Sequence, residues 1–197
     1  MSELFANKYR IKTSRYKGWD YSKSGFYFVT ICTKNFKHHF GNVETLRCNV
    51  SVPDIRLSII GEIVKEEWLK TPVVRKNVDL DEWIIMPNHM HGIIAMGGKP
   101  NSKDVALSVP AEKKRTKFAG ISPKSNSLSE VIRSFKSTCT RKINKLFPKN
   151  NFAWQPRFHD RIIRNEDELN RIREYIRNNP LNWEVDCKQP ESLEFKT

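Results

Sequence analysis

The chain has 197 residues, 38% of them hydrophobic and 29% charged, with a formal net charge of +13. These figures fit one globular domain, alone or with extensions, that can bury a real core. There is no run of eighteen apolar residues and no apolar stretch near the N-terminus, so neither a membrane span nor a secretory leader is expected.

Taken in chain order, the first strong element is GFYFVTICT at 25–33, a β-branched and aromatic run that predicts a buried strand. A second strand is expected near 46–57. Ser58 to Lys70 reads as a helix with Ile59, Ile60, Ile63, Val64 and Trp68 on its apolar side. Strands at 81–86 and 89–96 follow, joined at Pro87-Asn88. Residues 97–127 combine glycine, proline, serine and Lys113-Lys114-Arg115, and predict a long loop.

Ser127-x-x-Glu130 has the form of a capping box, and Leu128, Val131, Ile132, Phe135, Cys139, Ile143 and Leu146 then recur at helical spacing. A further strand is expected at 158–163. Asn165 then caps a helix whose first turn, Glu166, Asp167 and Glu168, suits the positive end of the helix dipole. That helix runs to Pro180. Interleaved strands and helices with a hairpin predict an α+β domain, a β-sheet covered by helices. The four cysteines, at 32, 48, 139 and 187, match neither a zinc pattern nor a disulfide framework and predict buried thiols in a reducing cytoplasm.

The charge is uneven. Residues 113–164 hold 14 basic and 2 acidic side chains, a local net of +12, against +4 for 1–112 and −3 for 165–197. Such a concentration is the footprint of a polyanion binder; a merely solubilising surface is the plainer reading. On the helix at 128–146, Arg133, Lys136, Arg141 and Lys145 are expected to face solvent or phosphate. Trp154 and Phe158 are candidate platforms for stacked bases. Tyr9, Arg10, Arg15, Tyr16, Trp19 and Tyr21 near the N-terminus either stack on bases or pack on the sheet.

Two motifs carry chemistry. In Pro87-Asn88-His89-Met90-His91-Gly92 the strand period puts His89 and His91 on one face, where two imidazoles can hold a divalent metal. Gly92 is expected to leave room for a ligand. In the last helix Leu169, Ile172 and Ile176 form a buried stripe, and Arg171, Tyr175 and Asn179 share an adjacent face. The Asn179 amide oxygen is a possible third ligand and Arg171 a phosphate contact. Asn179 precedes Pro180, which biases it away from helical dihedrals.

Six segments in this order resemble the HUH single-tyrosine transposases, most closely their REP-associated branch. They are FYFVTICTKN at 26–35, LSIIGEIVKEEWLK at 57–70, MPNHMHGII at 86–94, SLSEVIRSFKS at 127–137, WQPRFHDRIIRN at 154–165 and ELNRIREYIRNNPLNW at 168–183. The resemblance implies a ferredoxin-like HUH endonuclease core spanning 25–183, with a basic extension at 1–24 and a tail at 184–197. It implies metal ligands at His89, His91 and Asn179, the last often glutamine in insertion-sequence relatives, and a nucleophile at Tyr175. Mg²⁺ or Mn²⁺ is the expected cofactor.

The implied activity is nicking and rejoining of single-stranded DNA beside a hairpin, through a 5′-phosphotyrosine, by a monomer or homodimer on the DNA of a bacterial cytoplasm. His159 and Asp160 receive no role beyond candidate contacts. Two alternatives stand beside this reading. One is a non-catalytic nucleic-acid-binding protein derived from a transposase. The other is a zinc hydrolase using His89, His91 and a distant third ligand, which leaves Tyr175 and the basic segment unexplained.

Overall fold

The computed structural model describes residue 16 and residues 18–44, 54–97 and 126–183. The expected loop at 97–127, the tail at 184–197, Tyr9, Arg10, Arg15, Cys48 and Cys187 fall wholly or largely outside them.

Strand β1 (Gly25–Cys32) is followed by β2 (Gly41–Glu44), β3 (Asp54–Leu57), helices α1 (Ile59–Leu69) and α2 (Thr71–Val74), β4 (Val78–Ile85) and β5 (His89–Met96). After the break come α3 (Leu128–Leu146), β6 (His159–Ile163) and α4 (Glu166–Asn178), with a 3-10 turn over Asn179–Asn182. Four strands form one sheet in the order β4-β5-β1-β6, each neighbour antiparallel. The units β1-α1-β4 and β5-α3-β6 interlock, which is the ferredoxin-like arrangement; β2 and β3 form a separate ribbon.

Period-2 alternation gives the sheet two buried faces. Tyr27, Val29, Ile31, Met90 and Ile94 face α1 and α3 in the larger core. Phe28 and Ile93 face the other way, where Leu169, Ile172 and Ile176 of α4 close a smaller one. Every residue of β5 is therefore buried, which explains a strand that reads as an unbroken apolar run around two histidines.

Ser58 caps α1 by accepting from Gly61 N and donating to the His39 carbonyl. Ile59 and Leu146, expected on apolar stripes, are instead 68% and 62% exposed. Each sits at a helix end, where the stripe has rotated off the sheet. Gly61, passed over in sequence, is buried against Phe40, and the position takes glycine because a Cβ there would meet the Phe40 carbonyl oxygen.

Three further expectations change. The capping box is incomplete: Ser127 makes no side-chain cap bond. Glu130 instead accepts from the Asn126 backbone N–H and from Arg75. Of the strand expected near 46–57, 54–57 is present as β3, while 45–53 lies outside the described residues. Gly92 leaves no space for a ligand. It faces α1, and a Cβ on it would lie 2.5 Å from Trp68 Cζ2, so its absence lets the Trp68 ring lie against β5.

Trp19 and Tyr21 pack on the domain: Trp19 Nε1 donates to the Tyr27 hydroxyl and the Tyr21 carbonyl accepts from Leu128 N. Cys32 and Cys139 are buried thiols, neither in a disulfide. Among the described residues no helix is long and apolar enough to cross a membrane.

Candidate active site

The two histidines are set by what holds their Nδ1 atoms. The Pro87-Asn88 turn is pinned where the Asn88 carbonyl accepts from both the backbone and the hydroxyl of Thr33. It presents Asn88 Oδ1 to His89 Nδ1 at 2.6 Å. Across the β1–β5 register, where Thr30 opposes His91, Thr30 Oγ1 lies 2.9 Å from His91 Nδ1. An amide oxygen only accepts, so His89 carries its proton on Nδ1 and keeps the Nε2 lone pair. The rings converge, with centroids 4.6 Å apart.

The last helix arrives on the same face. The hydroxyl of Tyr175 lies 3.3 Å from His91 Nε2, and Asn179 Nδ2 donates to that hydroxyl oxygen at 2.8 Å. The phenol oxygen thus accepts from Asn179 and sits within hydrogen-bond reach of His91 Nε2. Asn179 keeps helical dihedrals (φ −57°, ψ −38°) despite Pro180. The chain continues into the 3-10 turn rather than extending, and the i, i+4 alignment with Tyr175 holds.

Phe28 stacks on His91 and meets Tyr175 edge-on, while Trp183 stacks on His89 at 6.1 Å. Both histidines and Asn179 are fully buried. Burial pushes the His89 imidazole down to about 3, with the Asn179 side chain beside it working the other way and His38 adding a small push down. Burial, and then His89, hold His91 well below its ordinary value. Both rings are neutral at physiological pH, the form that binds metal.

His89 Nε2 is sealed from solvent without a hydrogen bond of good geometry. Two neutral imidazoles anchored through Nδ1, with one buried lone pair unused, fit a divalent ion. Among the described residues no group of three His, Cys, Asp or Glu side chains could cage a metal. Thr30, Asn88 and Trp183 were not foreseen. Only the turn residue Asn88 had a visible signal, through its place before the first histidine.

The expected DNA contacts separate. Arg133, Arg141 and Lys145 are exposed on α3, but α3 covers the sheet face opposite the histidines. Lys136 turns inward and donates to the carbonyls of Gln155 and Arg157; burial brings its ammonium down to about 8. Trp154 is 7% exposed and packs among Phe40, Phe135 and Phe152. It is a core residue rather than a platform for bases. Phe158 is partly buried against the same core.

Arg171 is exposed on α4, one turn before Tyr175. His159 opposes Thr30 from β6, in the cross-strand row that contains His91. The site also holds a set of contacts that sequence reading missed, between α4 and β4: Arg173 with Asp81, and Arg177 with Glu82.

Comparison with known proteins gives three findings. Residues 119–179, from before α3 to the end of α4, match the family model described as IS200-like transposase. An uncharacterized protein of Haemophilus influenzae is 33% identical over 178 residues, covering 89% of this chain and 91% of that relative. A solved structure of a REP-associated tyrosine transposase bound to a REP hairpin is 17% identical. It covers 90% of this chain and 87% of that one, with a TM-score of 0.48.

Proposed function

The chain belongs to the IS200-like transposases, and from that premise we propose that it nicks and rejoins single-stranded DNA through Tyr175, with a divalent metal at His89 and His91. The observation that carries the reading is the meeting of the Tyr175 hydroxyl and His91 Nε2 at 3.3 Å, from residues 84 positions apart in sequence.

A phenol titrates at about 10, so Tyr175 needs assistance to attack at neutral pH. The site supplies it in two ways. Asn179 Nδ2 donates to the phenol oxygen and stabilises negative charge there. His91 Nε2, 3.3 Å from the hydroxyl, is the acceptor within reach of the phenol proton while it holds no metal. Nε2 of His91 has one lone pair, so this hydrogen bond and metal ligation are alternatives at that atom. His89, His91 and the Asn179 carboxamide would hold Mg²⁺ or Mn²⁺. Such an ion, when bound, supplies Lewis-acid stabilisation of charge on the scissile phosphate.

Attack by the Tyr175 oxygen on phosphorus forms a 5′-phosphotyrosine bond and breaks the P–O3′ bond, leaving a free 3′-hydroxyl. Attack by that hydroxyl, or by another strand's, reverses the step. The phosphodiester energy is retained in the phosphotyrosine, so no nucleotide cofactor is consumed.

We assign the substrate to single-stranded DNA beside a hairpin in repetitive palindromic elements, as the REP-associated pattern with Asn179 implies. The exposed Arg133, Arg141 and Lys145 lie beyond the sheet from Tyr175. The path we propose therefore runs round the β6 edge, past Arg157, Arg161 and Arg164, to Arg171 on the other face. Phosphate contacts of this kind make binding weaken steeply with salt.

The test is a covalent-adduct assay on a hairpin-bearing single strand with Mn²⁺. Wild-type protein forms a protein–DNA adduct, EDTA abolishes it, and Tyr175→Phe binds DNA without forming it. Metal-independent cleavage would contradict the metal assignment, and cleavage by Tyr175→Phe at the wild-type rate would remove Tyr175 from its role.

A further inference from the structure

Strand β4 contains an irregularity with a consequence for the tyrosine. Its register against β5 runs Leu80↔Ile94 and then Trp83↔Gly92. Two β4 residues, Asp81 and Glu82, therefore oppose the single residue Ile93, which is a β-bulge. In a regular strand consecutive side chains point to opposite faces. Here both carboxylates reach α4, on the face that Ile93 shares.

Arg173 forks onto Asp81, Nε to Oδ1 at 2.7 Å and Nη2 to Oδ2 at 2.6 Å. Arg177, one turn later, reaches Glu82 Oε2 at 2.9 Å. Tyr175 lies between the two arginines in sequence. The hydrogen bonds from Arg173 hold the Asp81 carboxyl below its ordinary range.

Leu169, Ile172 and Ile176 lie on Phe28, Ile93 and Ile163, and such burial is non-directional. It holds the helix on the sheet but supplies no hydrogen-bond direction to orient it. The forked Arg173–Asp81 pair is directional, and with the single Arg177–Glu82 bond one turn on it restrains both rotation and axial position. At the helix start, Glu168 accepts from Arg161 Nε of β6 at 2.6 Å, so α4 is tied across the sheet from one edge strand to the other.

We propose that Asp81 and Glu82, brought to one face by the β4 bulge, are positioning residues that set α4 and thereby the approach of the Tyr175 hydroxyl to the histidine pair. The proposal rests on the assignment of Tyr175 as nucleophile. Neither carboxylate touches the reacting atoms. Their effect is on the rate of the chemical step and leaves the affinity for DNA in place.

The experiment is single-turnover adduct formation by the full chain on saturating hairpin-bearing single-stranded DNA with Mn²⁺, with DNA affinity measured separately. Asp81→Asn is expected to slow the rate constant by about 10- to 100-fold, the scale of a small misplacement of a reacting group, with affinity changed by less than about twofold. Arg173→Lys keeps the charge but loses the fork and is expected to be slowed comparably. The exchanged pair Asp81→Arg with Arg173→Asp restores most of the rate.

A purely structural role would lower the amplitude of adduct, the active fraction, and leave the rate constant unchanged; that outcome overturns the proposal. A wild-type rate constant in Asp81→Asn overturns it as well. If Asp81→Asn does not fold, Glu82→Gln and Arg177→Gln break the outer, more exposed pair. Each is expected to slow the step by about threefold to tenfold, and an unchanged rate constant in both overturns the proposal. Tyr175→Phe, run alongside, separates the two levels. Adduct persisting there refutes the nucleophile and the dock with it, whereas adduct lost there but unaffected by the Asp81 and Glu82 variants refutes the dock alone.

Discussion

Lys136 shows how a side chain's partners decide its role. In the sequence it is one of five basic residues along a helix. In the structure its ammonium caps the carbonyls of Gln155 and Arg157. Removing it strands two acceptors, so Lys136→Ala is expected to cost about 1–2 kcal/mol of stability, measured by urea unfolding. The salt dependence of DNA binding should be unchanged. The exposed Arg141, by contrast, should flatten that dependence when replaced by Ala. A flattened salt slope without loss of stability in Lys136→Ala would return it to the DNA-contact set. The histidine pair and the tyrosine were legible one residue at a time, because period 2 in a strand and i, i+4 in a helix fix which side chains share a face. Thr30 was not, since a lone threonine in a strand carries no sign that it will oppose His91. Trp154 misled because an aromatic beside basic residues reads alike whether it faces bases or a core.

At the scale of elements, β5 and α3 were read to their observed ends, one from a continuous apolar run and the other from a sustained helical period. The β2 strand, four residues with no apolar alternation, left no trace. Nor could the sequence show that α3 and α4 lie on opposite faces of the sheet, which separates the basic helix from the tyrosine. The β4 bulge depends on pairing with β5 and is likewise invisible.

Two predictions belong here. Gly92→Ala would bring its Cβ to 2.5 Å from Trp68, a ring with no exposed surface. Overpacking of this kind costs about 1–3 kcal/mol, and a denaturation midpoint equal to wild type would contradict the packing described. The second concerns pH. The Asp81 carboxyl is depressed in the folded state by the hydrogen bonds from Arg173, against the opposing effect of burial. Such a group contributes stability that is fully present above its unfolded pKa and lost as pH falls through the folded value. Unfolding between pH 7 and 3 should therefore show a decline below about pH 4, worth about 1 kcal/mol, that is absent in Asp81→Asn. Parallel curves for the two proteins would contradict the ion pair.

The whole molecule places His89, His91, Tyr175 and Asn179 in one chain, on one face of one sheet. Mixing Tyr175→Phe with His89→Ala should consequently yield no adduct above that of either variant alone. Recovery of activity in the mixture would mean that the site is completed by a second copy. The most direct measurement of the account is peptide mapping by mass spectrometry of the adduct formed on hairpin-bearing single-stranded DNA. The account predicts a nucleotide linked through its 5′-phosphate to the peptide that contains Tyr175. Linkage to any other residue, or a 3′-phosphate attachment, would contradict it.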